Sequence, residues 1–382
     1  MTSRGVIGSV AQRASVAASL RLSGVPLPAV TTARVYTCGI TPYDVTHLGH
    51  AATFVWSDLL TSVWRLGGIE TVGCRNVTDV DDVLTRAADL HGREVAQFAL
   101  QQEYAFDKDM TALRVRRPVH EPRARHYVGA VQQLAAALLA AGRAYLREGF
   151  VYFRGAEVVD RSGLSREQAL ARSAEFADDP HDERRDDPFD VIVWRPSTPG
   201  EPAWPSPWGL GRPGWHAECA AMALSVLGPS VDVLVGGEDL AFPHHAYQAA
   251  MVEAVSSVTP FARALLHVGA VGQSGAKMAK STGNLTLVAD LLGDHSPAAV
   301  RLLLLDRPWH TAWEYEPNDL DRAAERLERL FAAAGRPGAG DAATGAVTAA
   351  LLDDLDVPRA IETAVENGGE AARLLLRVLA LV

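Results

Sequence analysis

Two short blocks stand far apart in this chain: His47-Leu48-Gly49-His50, just after an apolar run, and Lys277-Met278-Ala279-Lys280-Ser281, much nearer the C-terminus. The first lies where a strand hands over to a helix. Arg34-Val-Tyr-Thr-Cys-Gly39 reads as a buried strand, Ile40-Thr-Pro-Tyr-Asp44 as a turn, and Leu48 to Leu66 as an apolar-periodic helix. That order is the opening unit of a nucleotide-binding α/β fold. The second block stands out by composition. Only three of the 36 basic residues are lysine (Lys108, Lys277 and Lys280), so a chain that otherwise uses arginine has put two lysines into one five-residue stretch.

Further along, Glu70 to Val77 reads as a strand running into the acidic turn Thr78-Asp79-Val80-Asp81-Asp82. Strands are expected at Val231 to Val235 and Leu265 to Val271, with helices between, so the α/β alternation predicts a parallel sheet with right-handed crossovers. Residues 34–117 and 214–295 form the two halves of this Rossmann-like domain. Between them lies an α+β insertion, 118–213, with a helix at Tyr127 to Ala141 and strands at Phe150 to Phe153 and Val191 to Trp194. Its charged run Asp178 to Asp187 reads as a solvated, mobile loop. Residues 1–33 read as an N-terminal strap. Residues 296–382 read as a helical domain, with a Gly/Ala linker from Ala334 to Gly345 before two last helices.

Three constellations carry chemistry. In the first block Gly49 permits close approach of a nucleotide, and His47 and His50 sit at a helix start whose N–H groups and dipole favour phosphate. Alone, this pattern also fits a histidine that merely caps a helix. Lys277 and Lys280, on a Gly-rich stretch, are placed to reach the β- and γ-phosphates of ATP, where positioning and charge stabilisation dominate. A solvated surface loop is the plainer alternative. The third constellation is Cys38, Cys219 and His244. Two thiolates and an imidazole can hold a tetrahedral Zn²⁺ with one position open, although buried core cysteines remain the default for ligands so scattered. Cys74 reads as core.

Composition narrows the partners. The net charge is −10, and from Arg301 onward 14 acidic residues face 9 arginines, so no basic surface for a nucleic-acid backbone is expected there. No stretch approaches 18 consecutive apolar residues. Three cysteines cannot build a disulfide framework, which points to a reducing cytoplasm. The first 43 residues contain Arg4, Arg13, Arg21 and Arg34 but no acid before Asp44, a faint transit-peptide flavour.

The same residues sit in longer stretches: Cys38-Gly-Ile-Thr-Pro-Tyr-Asp-Val-Thr-His-Leu-Gly-His50, Asn76-Val-Thr-Asp-Val-Asp-Asp82, Gly214-Trp-His-Ala-Glu-Cys219, Gly236-Gly-Glu-Asp239, Phe242-Pro-His-His245 and Lys277 to Ser281. From about Arg34 to Glu316 the chain resembles the cysteinyl-tRNA synthetase family of class I synthetases, including its shortened branch, the mycothiol cysteine ligases. Ile40 to Asp44, Trp194 to Pro213 and Trp313-Glu-Tyr315 resemble that branch. The chain also stops at Val382, where a synthetase would continue into an anticodon-binding domain.

The resemblance implies a class I synthetase-type α/β fold and an ATP-dependent ligase that makes cysteinyl-adenylate and passes cysteine to the amine of glucosaminyl-inositol. It implies Zn²⁺ on Cys38, Cys219 and His244, with Mg²⁺ accompanying ATP. ATP contacts fall on Thr46, His47, Gly49, His50, Gly237, Asp239, Val271, Lys277 and Lys280, with Asp239 on the ribose. Cysteine contacts fall on Gly39, Thr41, Thr78 and Trp215. No stable nucleic-acid partner, no membrane association and a monomer are expected. Three positions depart from the pattern: Gln248 replaces a glutamate four residues beyond the zinc histidine, Ala246 a glutamate after His245, and Ala279 a serine of the lysine block. Ala246 and Ala279 leave room for a paralogue that joins cysteine, or a related amino acid, to another small amine in secondary metabolism. A truncated cysteinyl-tRNA synthetase and a non-catalytic synthetase-like module are further alternatives.

Overall fold

The computed structural model describes residues 20–43, 46–176, 179–278, 283–338 and 340–382. Most of the strap, residues 1–19, and Ala279, Lys280 and Ser281 of the lysine block lie outside them.

The chain enters through a small hairpin, β1 (Arg21–Leu22) and β2 (Val25–Pro26), that buries Leu20, Leu22 and Leu27. Strand β3 (Thr32–Ile40) then crosses the core and feeds helix α1 (Leu48–Leu66). That helix is apolar on most of its surface, burying Phe54, Trp56, Leu59, Leu60 and Trp64, because it is covered by the sheet on one side and by C-terminal helices on the other. Gly67 and Gly68 end it, the latter at φ +82 where a side chain would be strained. Strand β4 (Glu70–Val77) follows, then α2 (Asp82–Leu90), capped by the Asp81 carboxylate on Val83 N–H, and α3 (Val95–Ala112).

Within the insertion, α4 (Val128–Ala140) packs against an antiparallel sheet of β5 (Ala144–Arg147), β6 (Phe150–Phe153), β7 (Val191–Pro196) and β8 (Gly211–Pro213), with α5 (Ala156–Ser162) and α6 (Arg166–Ala174) between β6 and β7. The acidic run is not a free solvated loop. Asp182 accepts from Tyr152 and from the Arg184 guanidinium, Asp186 pairs with Arg147 and Arg154, and Arg184 lies 4.1 Å over the Phe150 ring. Charges that read as solvent-facing in a linear string are paired across the sheet, which ties the segment down.

The chain returns through α7 (Trp215–Leu227), β9 (Val231–Gly237), α8 (Ala246–Ser256) and β10 (Ala262–Val268). Strands β4, β3, β9 and β10 lie side by side in that order, every pair parallel. Alternate β9 residues serve different cores: Val233 and Val235 face α1, Leu234 faces α7 and α8. The expected strand from Leu265 to Val271 proves to be two. It breaks after Val268, where a side chain on Gly269 would meet the Thr311 backbone at 2.4 Å, and resumes as β11 (Val271–Gln273) in a separate small sheet. That sheet pairs β11 with β12 (Ala276–Lys277) and with β13 (Trp313–Glu314).

Helices α9 (Val288–Asp294), α10 (Pro297–Leu305), α11 (Asn318–Ala334), α12 (Asp341–Leu352), α13 (Val357–Asn367) and α14 (Gly369–Val378) complete the fold. Three helices, not two, follow α11, and α12 starts inside the Ala334 to Gly345 span because alanine favours helix even in a Gly-containing string. Buried Arg301 locks this end to the core, donating to the Leu379 and Leu113 carbonyls and pairing with Asp58 at 2.5 Å. Among the described residues no helix is long and apolar enough to cross a membrane.

Candidate active site

The connections leaving β3 and β9 run to opposite faces of the sheet, so a crevice opens at their carboxyl ends. Such a switch point is where parallel sheets bind ligands. Cys38 lies two residues from the end of β3, Cys219 in the first turns of α7, and His244 two residues before α8. The ligand atoms of these three buried residues lie within 4.8 Å of one another. His244 Nε2 is buried with no hydrogen-bond partner among the described residues, while its Nδ1 is 2.8 Å from His216 Nδ1 and its ring stacks on Trp215 at 3.9 Å. Burial, aided by the charges His216 and His245 would carry, holds His244 in the neutral form that ligates metals. Burial and the Cys38 thiol beside it push the Cys219 thiol up, a cost that a cation between the two sulfurs reverses. Donor chemistry, proximity and the orphaned imidazole nitrogen all fit a metal.

Around the triad sits a polar shell that sequence reasoning left largely unassigned. Asn76 Nδ2 approaches Cys219 Sγ at 3.4 Å, and its Oδ1 accepts from Gly39 N–H. Gly39 must be glycine, since a Cβ there would lie 1.7 Å from the Asn76 carbonyl oxygen. Gln248, in the place of the pattern's glutamate, receives the Cys38 thiol at 3.6 Å on Oε1. His245 Nε2 is 3.2 Å from Cys38 Sγ, and its Nδ1 is 2.8 Å from His267 Nε2. The available signal was positional: His267 is a polar residue at the carboxyl end of a parallel strand. The Thr41 and Thr78 hydroxyls bond each other at 2.6 Å just beyond Cys38, while Trp215 opens α7 and covers His244.

The second cluster adjoins the first along β9, where side chains on Gly236 and Gly237 would meet the His245 ring at 2.6 Å and the Asp239 carboxylate at 2.5 Å. The Asp239 carboxylate holds Lys277 Nζ at 2.7 Å. His47 and His50 stack at 3.8 Å at the start of α1. Burial, with a smaller contribution from the Lys277 ammonium, lowers His50 to about 4 against the pull of Asp239; the residue is also reached by solvent, so water opposes part of that shift. Gly49 lies 3.9 Å, by its would-be Cβ, from Val271, placing β11 beside the histidine block. One N–H at the start of α1 is already used: Leu48 donates to the Thr286 carbonyl, and Thr46 accepts from Val288 N–H. Lys280 lies outside the described residues.

His267 makes stability depend on pH. Burial pushes it down to about 4 from the ordinary 6.5, so the unfolded chain binds more protons than the folded one between those values. Stability is complete above about pH 6.5 and falls as pH drops toward 4, by at most about 3 kcal/mol from this residue. Urea unfolding of the metal-free protein between pH 7 and pH 5 should show the loss, and His267→Asn should lessen it by this residue's share, the buried His244 and His245 keeping theirs.

The fold and this site define a class I synthetase-type catalytic domain. The family described as tRNA synthetases class I (C) catalytic domain matches residues 28–325. The Mycobacterium tuberculosis methionyl-tRNA synthetase in complex with methionyl-adenylate superposes with a TM-score of 0.60 at 17% identity, covering 92% of this chain and 82% of that one. The Agrobacterium radiobacter K84 LeuRS in a ternary complex with tRNA and LeuAMS does so with a TM-score of 0.65 at 13% identity, covering 92% and 83%. Among curated proteins, the L-cysteine:1D-myo-inositol 2-amino-2-deoxy-alpha-D-glucopyranoside ligase of Thermomonospora curvata is 44% identical, covering 89% of this chain and 84% of its own length. The ligase of the same name from Acidothermus cellulolyticus is 45% identical over 86% and 83%, and that of M. tuberculosis 41% over 91% and 88%. The chain belongs to the class I tRNA synthetase catalytic-domain family and, within it, to these cysteine ligases.

Proposed function

We propose that this chain is an AMP-forming ligase that activates L-cysteine with ATP and joins it to the amine of 1D-myo-inositol 2-amino-2-deoxy-α-D-glucopyranoside, a step of mycothiol biosynthesis. The observation that carries the reading is the adjacency of the two clusters on neighbouring residues of β9: a side chain on Gly236 would meet the ring of His245, which reaches Cys38, at 2.6 Å, and one on Gly237 would meet the Asp239 carboxylate that holds Lys277. A thiol-selective pocket therefore adjoins a phosphate-handling one. Held by Cys38, Cys219 and His244, Zn²⁺ would offer a soft position that takes a thiolate and disfavours the harder hydroxyl of serine.

In this reading Gly39, Thr41, Thr78 and Trp215 line the cysteine subsite. Thr46, Gly49, Gly237 and Val271 shape the nucleotide subsite, Asp239 takes the ribose, and Mg²⁺ accompanies ATP. A cysteine carboxylate oxygen attacks the α-phosphorus, forming one P–O bond as the bond to pyrophosphate breaks. Lys277, Lys280, His47 and His50 stabilise the charge that moves onto the departing phosphates. The acceptor amine then attacks the acyl carbon; AMP leaves with the bonding pair, and the amine proton passes to solvent. Residues 34–117 and 214–295 are assigned this chemistry, with 118–213 as the insertion and 296–382 as the helical domain, in a cytoplasmic monomer that needs no nucleic acid.

A mass-resolved assay of zinc-loaded protein with ATP and cysteine, offering glucosaminyl-inositol and bulk tRNA in parallel, tests the proposal. The expected product is the cysteine amide of glucosaminyl-inositol with stoichiometric AMP. Adenylate without that amide assigns a different acceptor, the reading that Ala246 favours, and cysteine transfer to tRNA replaces the proposal with a synthetase.

A further inference from the structure

We propose that Asn284 is a positioning residue for the reaction: its side-chain amide holds the hairpin that presents Lys277 and docks it against the histidine block. The proposal rests on the role given above to Lys277. Asn284 Nδ2 lies 3.0 Å from the Gln273 carbonyl oxygen, 3.1 Å from that of Ala276 and 3.2 Å from that of Lys277. These carbonyls span the β11–β12 turn. A donor shared among them fixes the turn and the backbone of Lys277 itself. A second tie runs from the Thr286 hydroxyl to Gln273 Oε1 at 2.8 Å.

Two residues beyond Asn284 the chain reaches the other signature. Leu48 N–H donates to the Thr286 carbonyl at 2.9 Å, Val288 N–H donates to the Thr46 carbonyl at 3.0 Å, and His47 and Leu287 face each other as an antiparallel bridge. The lysine hairpin, Asn284 and the start of α1 thus form one backbone-bonded unit. Such a unit sets the spacing between the Lys277 ammonium and the imidazoles at the start of α1, and misplacement of about 1 Å in a supporting element can cost about 10²-fold in rate.

The test separates donation from shape. Asn284→Asp keeps the size and removes the N–H donor, and Asn284→Ala removes both. Each should lower kcat for cysteine-dependent pyrophosphate–ATP exchange by about 10²-fold, with the KM for cysteine unchanged. Hydrogen–deuterium exchange across residues 271–278 of the substrate-free protein should accelerate in both. Thr286→Val, which removes only the second tie, should move both readouts the same way by less. An Asn284→Asp variant exchanging pyrophosphate within about twofold of the parent overturns the proposal. So does a lost rate with unaltered amide exchange, which would make Asn284 a substrate contact. If the parent itself shows no cysteine-dependent exchange, the ligase reading fails, while amide exchange still decides whether Asn284 holds the hairpin.

Discussion

Cys219→Ser is expected to abolish the stoichiometric metal binding proposed for this site and with it cysteine-dependent AMP formation. The serine hydroxyl is nearly isosteric but stays protonated where a thiol yields a thiolate, so it leaves Cys38 and His244 as two donors for a cation that needs at least three. Removing a residue that only supports a metal ligand costs about 10–100-fold in affinity, and removing a ligand should exceed that. Elemental analysis after dialysis against a weak chelator measures the loss, and pyrophosphate exchange with cysteine measures its consequence. Metal retained at one equivalent with full activity would take Cys219 out of the site. Fold is not expected to fail with the metal, because the α7 and α8 core around the triad is apolar and extensive.

Lys277→Ala should lower the adenylation rate by about 10²–10³-fold, the range for one lost donor to charge developing in the transition state. Its effect on stability should be small. The Lys277 side chain is 49% exposed, and an exposed pair such as that with Asp239 contributes under about 1 kcal/mol. A large kinetic loss with an unchanged Tm is therefore the signature of a lysine that acts on phosphate. With Asp239 on the ribose, as proposed above, the pair would exchange on ATP binding, the carboxylate releasing the ammonium. A rate within a few-fold of the parent at saturating ATP would remove Lys277 from the mechanism.

Of the shell around these two clusters, little was legible in the linear string. Asn76, His216, His245 and His267 come from four different elements, and each looks like an ordinary polar residue until the sheet closes. The Leu265 to Val271 run reads as one strand because it is a short, nearly continuous apolar stretch, and only the Thr311 backbone beside Gly269 explains the break. The charged run before Asp187 carries a solvated-loop composition, and its pairing with Arg147 and Arg154 depends on where β5 and β6 place those side chains.

Local chemistry did settle a good deal in advance. The β3–turn–α1 unit, the β4 strand and the helical C-terminal region follow from periodicity and from glycine placement, which act between neighbours in the chain. The residue types with unusual chemistry, two thiols, paired histidines and rare lysines, mark themselves by scarcity. What they do together is another matter. Cys38, Cys219 and His244 become one ligand set only because parallel β3 and β9 lie adjacent, with Cys219 on the helix that leads into β9 and His244 in the segment that leaves it. That adjacency arises from long-range burial of apolar strand faces, a global free-energy minimum that no short window of sequence contains.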